Sequence, residues 1–476
     1  MKRILSLALA CLLVLSLVGG ALVSAVAEQQ IVLRAVDWSD SSIKHREAFN
    51  KKFEEMHPGV KIEYTMLTID QFKNTIVTMI KSGDGPDVFP IPVGMTLATA
   101  LKEEWYQPLD GLVTDEFIAT IDPAVLMEGV SHKDGKFYNI PEAVPVTDTN
   151  FYYNKDVLDA AGVTQLPETY EEFRAVLKQV TDAGNGSFYG LIDGGKQLGR
   201  LNVMARSFAS MAGAKMAPGS NVITSNGRAT FDAPEMVGFF KLMEDIYLDG
   251  TLHPDTVNIN APEAREYFAQ GQAAFLMQGM WCIPTWANTY PNLNYGVMSV
   301  PKPSMDTVGA ISQGAVAPWL GIYKQSKHPE LAAEYIMALF SEEYGYQSGC
   351  VSDGNYVSII PAINEKYMTH PVMKAYYDTA KAAAAEVPWP TKRDAKAYDF
   401  YAEVKDVQPS LAALLQGVIS GGLTDYEDAL RKLAEDSTVE WRRASEAIGL
   451  DFAVFDFPNW TVGTPYLEAD YDALLK

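Results

Sequence analysis

Two short stretches set tryptophan beside groups that suit it for binding. The first, Asp37-Trp38-Ser39-Asp40, places one indole among two carboxylates and a hydroxyl. An indole offers a flat apolar face to the C–H side of a ring, and the oxygens beside it accept hydrogen bonds from ring hydroxyls. A neutral ring polyol needs that pairing. The same residues also suit a plainer use, in which Ser39 and Asp40 cap the following helix and Trp38 is packed. The second stretch is Gly279-Met280-Trp281. The glycine permits close backbone approach. Trp281 follows a short apolar run, Ala273 to Met277, and so stands at a strand's carboxyl end, where open α/β sheets place ligands. Trp319 has a similar place at the loop-proximal end of a strand over Ala315 to Ile322, with core packing an equal competitor.

Catalytic constellations are missing from the sequence. It has no H-E-x-x-H, no G-x-S-x-G and no G-x-G-x-x-G. Gly190 and Gly195-Lys196 have P-loop spacing, but position 197 is Gln where magnesium binding needs Ser or Thr. Six scattered histidines and three cysteines make no metal-ligand pattern, so neither metal nor cofactor is expected. A glycosidase acid–base pair can always be drawn among sixty carboxylates, and only their separation in space would give it meaning.

The elements that must position these residues can be read from periodicity. Ile31 to Val36 is a nearly continuous apolar run, the mark of a buried parallel strand. A helix follows with Ile43, Phe49, Phe53 and Met56 inward, ended by His57-Pro58-Gly59. Val60, Ile62, Tyr64 and Met66 alternate as a second strand. Asp70 is read as the cap of a helix through Lys81, and Val88 to Ile91 as a third strand. This β-α-β-α-β order implies a parallel, doubly wound sheet. Asp134-Gly135 predicts a type I′ hairpin. Thr169 and Glu172 form a capping box. Gly184 to Gly199 reads as loop, Leu201 to Ala212 and Ala233 to Leu248 as helices, and Lys381 to Glu386 as an alanine-rich helix. The stretch Glu263 to Trp281 reads as a helix with Tyr267 and Phe268 on its apolar face and Glu263, Arg265 and Glu266 outward, then Gly271 as a stop, then the strand. Asp425 to Ala434 and Val439 to Ala447 are expected to be closing helices, with a tail from Phe452 onward.

Several of these segments together resemble the family 1 extracellular solute-binding proteins, the sugar-capturing receptors of ABC importers, a group that includes maltose-binding protein. The motifs are F-A-x-G-x-A-A-F with G-x-W near 268–281, Ser82 to Val88, Leu109-Asp110-Gly111-Leu112, Asp134 to Pro141, Tyr152 to Asp156, Pro167 to Phe173, and Ser326 to Ile336. They span about residues 31–450 in the family's order. The resemblance implies an α/β, two-lobed, type II periplasmic-binding-protein-like fold, each lobe a central sheet flanked by helices and joined by hinge crossovers. Expected bounds are 28–145 plus 300–345 for the first lobe and 146–299 plus 346–476 for the second. The segment Val144 to Tyr153 is expected to be the first crossing, which makes Asp148 and Asn150 candidates to face the cleft, with an edge or turn role equally open. Trp389 is a further candidate, because this region of the family often lends an aromatic to the cleft. The implied function is binding without turnover. The expected partners are a small carbohydrate and the transmembrane subunits of an importer, with a cation such as a polyamine as the alternative ligand.

Composition agrees. Residues 1–27 read as a secretory signal, with Lys2 and Arg3, an apolar run, and Ala25-Val26-Ala27 as cleavage site. Cys11 falls inside that run, and Ala8 stands where a lipobox would carry leucine, so lipidation is not expected. Cleavage would leave 36 basic against 60 acidic side chains, a net charge of −24. That surface repels nucleic acid and anionic membrane and favours a monomer that stays dispersed. Hydrophobic residues make up 48% of the chain, enough for real cores. Cys282 and Cys350 would remain, with free buried thiols expected over a disulfide.

Overall fold

A computed structural model describes residues 30–93, 95–144, 146, 150–216, 222–312 and 319–474. The expected signal segment and Asp148 lie outside the described residues. The chain builds two lobes, each around its own sheet.

The first lobe begins with strand β1 (Ile31–Asp37), helix α1 (Ile43–Met56), β2 (Val60–Met66), α2 (Ile69–Lys81) and β3 (Val88–Pro90). β1 runs parallel to both β2 and β3. α1 forms because Phe49 and Phe53 recur on its inner stripe, and both are fully buried. Thr68, not Asp70, caps α2. Its hydroxyl accepts from the Gln71 amide while Gln71 returns a bond to the Thr68 N–H, and Asp70 sits in the first turn. Helix α3 (Leu97–Lys102) follows. The hairpin β4 (His132–Lys133) and β5 (Lys136–Phe137) turns at Asp134 and Gly135, whose φ values of 53° and 75° are what a type I′ turn demands. β6 (Asn139–Ile140) completes this lobe's share of the first half of the chain.

The second lobe holds β7 (Phe151–Asn154), α4 (Tyr170–Gly184), β8 (Tyr189–Ile192), α5 (Leu198–Met211), α6 (Pro234–Leu248), α7 (Ala261–Ala269), β9 (Ala273–Met277), α8 (Cys282–Thr289) and β10 (Tyr295–Met298). Thr169 caps α4 in the predicted box with Glu172. The glycine-rich stretch expected to be loop contains β8, because Tyr189–Ile192 pairs parallel with β9 and is mostly buried. Strand order is β10-β7-β9-β8, with β7 antiparallel to both its neighbours.

After β11 (Ile311–Ser312) the chain returns to the first sheet. β12 (Leu320–Ile322) enters antiparallel between β3 and β6, giving the order β2-β1-β3-β12-β6. Helix α9 (Pro329–Leu339) starts on a first-turn proline. Helix α10 (Tyr346–Ser352) packs on α1, whereas α11 (Pro371–Ala383) packs on β10. The alanine run is therefore split. α11 ends at Ala383, and Ala384–Ala385 is a short strand, β13, paired parallel with β11. A tertiary pairing there overrides alanine's helix propensity. Helices α12 (Pro390–Arg393), α13 (Ala397–Glu403) and α14 (Leu411–Ile419) precede α15 (Tyr426–Ala447). α15 is one helix of 22 residues where two were expected. Ser437 is buried and the Thr438 hydroxyl donates to the Ala434 carbonyl, so the polar patch between the two apolar stretches does not break it.

The tail makes a small core of its own from Phe457, Trp460, Tyr466 and Tyr471, closed by Ile223 and Val387. It lies along residues 386–393. Tyr466 N–H donates to the Glu386 carbonyl at 3.1 Å, and Arg393 sits over the Phe457 ring. The adjoining α13 reaches the first lobe, where Glu403 meets Lys102 at 3.4 Å and Asp399 meets Lys133 at 3.3 Å.

Candidate functional site

The loop after β1 is held by a charge buried inside the first lobe. Asp37 and Arg46 are each 1% exposed and form an ion pair at 3.1 Å. Asp37 also accepts from Tyr64 Oη at 2.5 Å and from the Ser39 N–H at 3.0 Å. Burial works against the charge on Arg46, but Tyr346, Asp37 and their tyrosine neighbours outweigh it and raise its pKa. The guanidinium lies over the rings of Tyr346 (4.6 Å) and Trp319 (5.2 Å). Trp319 is 3% exposed, with Tyr346 parallel to it at 6.3 Å and Phe340 edge-on. Tyr346 Oη in turn donates to Glu142 Oε1 at 3.1 Å. Glu142 is half-buried. Its pKa is pushed up to about 7, first by burial, with Asp37 adding to the rise and Arg46 and the Tyr346 bond opposing it. Asp37 and Trp319 thus position the loop from within. Trp38 is half-buried, with Phe72 edge-on at 4.9 Å. Ser39 is half-buried, and its carbonyl accepts from Ser42 Oγ.

Asp40, the exposed end of that loop, reaches the other lobe. Its Oδ2 takes a hydrogen bond from Arg265 Nη2 at 3.1 Å. Arg265, expected on the outer face of α7, is 5% exposed. The outward face is incomplete because α7 is covered by α8. The Trp286 indole N–H donates to the Arg265 carbonyl, and the Cys282 thiol, which burial pushes up to about 12, is within hydrogen-bond reach of the guanidinium. Cys282 follows Trp281 directly, so this bridge ties the loop that carries Trp38 to the helix packed against the one that starts at Trp281. Cys282 and Cys350 are both free and buried.

On the second lobe the backbone after β9 is pinned on both sides. Tyr376 Oη donates to the Gln278 carbonyl at 2.8 Å and Tyr152 Oη to the Gly279 carbonyl at 3.0 Å. The Trp281 indole folds over Gly279, where an added Cβ would lie 2.3 Å from the ring. Trp281 is half-buried at the start of α8. Asn150 stands opposite, fully buried, with Nδ2 donating to the Tyr376 carbonyl at 2.9 Å. Trp389 is half-buried at the start of α12, its N–H bonded to Tyr471 Oη at 2.7 Å. Two surface grooves, of about 440 and 580 Å³, lie on the second lobe and contain none of these residues.

Sequence reasoning passed over Arg46, Tyr64, Glu142, Arg265 and Tyr376. One signal was present for Arg46, which falls three residues from both Ile43 and Phe49 on the apolar stripe of α1. A charge in that register is a buried charge, and a buried charge has a partner.

Among solved structures, the chain is similar to a solute-binding protein of Thermotoga lettingae with bound α-D-tagatose, at a TM-score of 0.68 and 21% identity, covering 86% of this chain and all of that one. It is also similar to the maltose/maltodextrin-binding domain of Bdellovibrio bacteriovorus bound to maltotriose, at 0.64 and 16%, covering 87% and 100%. Among sequences, it is 23% identical to a Brucella abortus protein named only as a binding protein, over 68% of this chain and 75% of that one. It is likewise 23% identical to the arabinooligosaccharide-binding protein of Halalkalibacterium halodurans, over 61% and 62%. The family model described as bacterial extracellular solute-binding protein matches residues 41–346, and the chain belongs to that family.

Proposed function

We propose that this protein is exported, captures a sugar or oligosaccharide between its lobes without turning it over, and hands it to the transmembrane subunits of an ABC importer. The observation that carries this reading is the Asp40–Arg265 pair between the lobes, which ties the loop of one half-buried indole, Trp38, to the helix packed beside a second, Trp281. Each stacked ring supplies on the order of 1 kcal/mol beyond the area it buries. The sugars held by the similar structures support the ligand class. The polyamine alternative rests on the acidic total charge alone, and the two carboxylates of the loop after β1, Asp37 and Asp40, already pair with Arg46 and Arg265. Ser39, Asn150 and Trp389 are the further contacts of this reading, and Asp37, Asp40, Gly279 and Trp319 position the loops that hold them. Closure of the lobes around the ligand would present the form that the importer reads.

The test is a thermal-shift and tryptophan-fluorescence screen over mono- and oligosaccharides, repeated with Trp281→Ala. One sugar should raise the melting temperature of the wild type, and the variant should lose that response. A variant with unchanged affinity, or release of reducing ends from the bound sugar, overturns the reading.

A further inference from the structure

Strand β9 is apolar and fully buried from Ala273 to Met277, and the run then ends in a glutamine. Gln278 is 0% exposed. Neither its Nε2 nor its Oε1 has a hydrogen-bond partner, and among the described residues it is the one side chain with two such atoms. Beside it the Asn150 Oδ1 is unpartnered too, and the two residues are joined through Gln278 N–H to the Asn150 carbonyl at 3.3 Å, one step beyond the β7–β9 ladder. Neighbouring donors are engaged with backbone. Tyr376 Oη holds the Gln278 carbonyl, Tyr152 Oη the Gly279 carbonyl and Arg200 Nη2 the Met277 carbonyl.

A buried carboxamide with both ends unmet is a standing cost, and a methionine of similar volume would avoid it. Such local conflicts gather where a ligand completes the bonding. Here the conflict sits one residue from the glycine that carries the Trp281 indole. Resting on the carbohydrate reading above, we infer that Gln278, assisted by Asn150 Oδ1, is a specificity-determining residue that reads hydroxyls of the bound sugar. An amide suits the task because it both donates and accepts, as a hydroxyl does, and it carries no charge that an uncharged ligand would leave unpaired.

The experiment compares wild type, Trp281→Ala and Gln278→Met by calorimetric titration with maltotriose, xylotriose and arabinotriose, each paired with an apo melting curve. For the trisaccharide the wild type binds, Gln278→Met should weaken affinity at least tenfold, the equivalent of about 1.4 kcal/mol, with an apo melting temperature equal to or above wild type. Affinity within twofold of wild type overturns the inference. So does a lowered apo melting temperature, which would make the amide a structural group bonded to buried water. Where Gln278→Met does not fold, Gln278→Asn, which keeps the amide but withdraws it by one methylene, is held to the same affinity criterion. Loss of binding in Trp281→Ala with none in Gln278→Met sinks this inference and leaves the carbohydrate reading standing. A wild type that binds no saccharide sinks both.

Discussion

Asp37 separates two uses of a carboxylate at the mouth of a site, and they predict opposite results for one substitution. In the structure Asp37 is a buried counter-ion. It is 1% exposed, 3.1 Å from an equally buried Arg46, and its other acceptor positions are filled by Tyr64 and the Ser39 N–H. Asp37→Asn keeps the bond from Tyr64 and removes only the charge. Arg46 is then left charged and unpaired among aromatic rings, which costs about 3–5 kcal/mol. For a unit of about 150–250 residues each kcal/mol shifts the midpoint by roughly 2–4 °C, so the apo protein should melt roughly 6–20 °C lower. Because the pair is out of water, salt should change this little. The double variant Asp37→Asn/Arg46→Met should recover most of the loss, since no buried charge then lacks a partner. A direct ligand contact predicts the reverse pattern, a near-normal apo melting curve with lost sugar binding. An Asp37→Asn protein that melts within about 2 °C of wild type would refute the buried counter-ion account.

Three further expectations follow from the same geometry. Gly279→Ala puts a methyl 2.3 Å from the Trp281 indole and so must swing the ring away, which should weaken sugar affinity at least tenfold while circular dichroism stays native; unchanged affinity would show that the indole's place does not matter. Glu142 binds its proton more tightly when folded, with a pKa pushed up from 4.5 to about 7, so its contribution is complete at low pH and is lost as pH rises through that interval. Glu142→Gln should therefore melt higher than wild type at pH 8 and equal to it at pH 4.5, and a difference independent of pH argues against the assignment. Asp40→Asn breaks the bridge to Arg265, which should raise the apo radius of gyration in small-angle scattering but not that of the sugar-saturated form. Half of that pair is exposed, so sugar affinity should change by no more than about fivefold.

Much of the fold was legible because burial imposes a period that a sequence cannot hide. The continuous run in β1, the alternation in β2, the Asp-Gly hairpin and the Thr169 box are local devices, and each formed where its residues called for it. Two of the misreadings were also local in cause. β8 was hidden by flanking glycines, and the break expected within α15 does not occur because Thr438 bonds its own helix. What the sequence could not show is pairing at a distance. Asp40 meets Arg265 across 225 positions and Tyr346 meets Glu142 across 204. Periodicity assigns a charged residue to solvent by default, yet Arg46 and Arg265 are both buried.

Those two arginines change what the acidic loop means. Read in one dimension, Asp37 and Asp40 look like acceptors waiting for hydroxyls; folded, each is already answered by a guanidinium. A ligand competing for Asp37 would have to break a buried pair, which no single sugar hydroxyl repays, because a neutral hydrogen bond contributes about 1 kcal/mol net and leaving Arg46 without its partner costs several times that. In the proposed function recognition then falls to the half-buried indoles of Trp38 and Trp281 and to the idle amide of Gln278. All three are uncharged, so the proposed site would favour a neutral ring compound even on a chain whose net charge is −22.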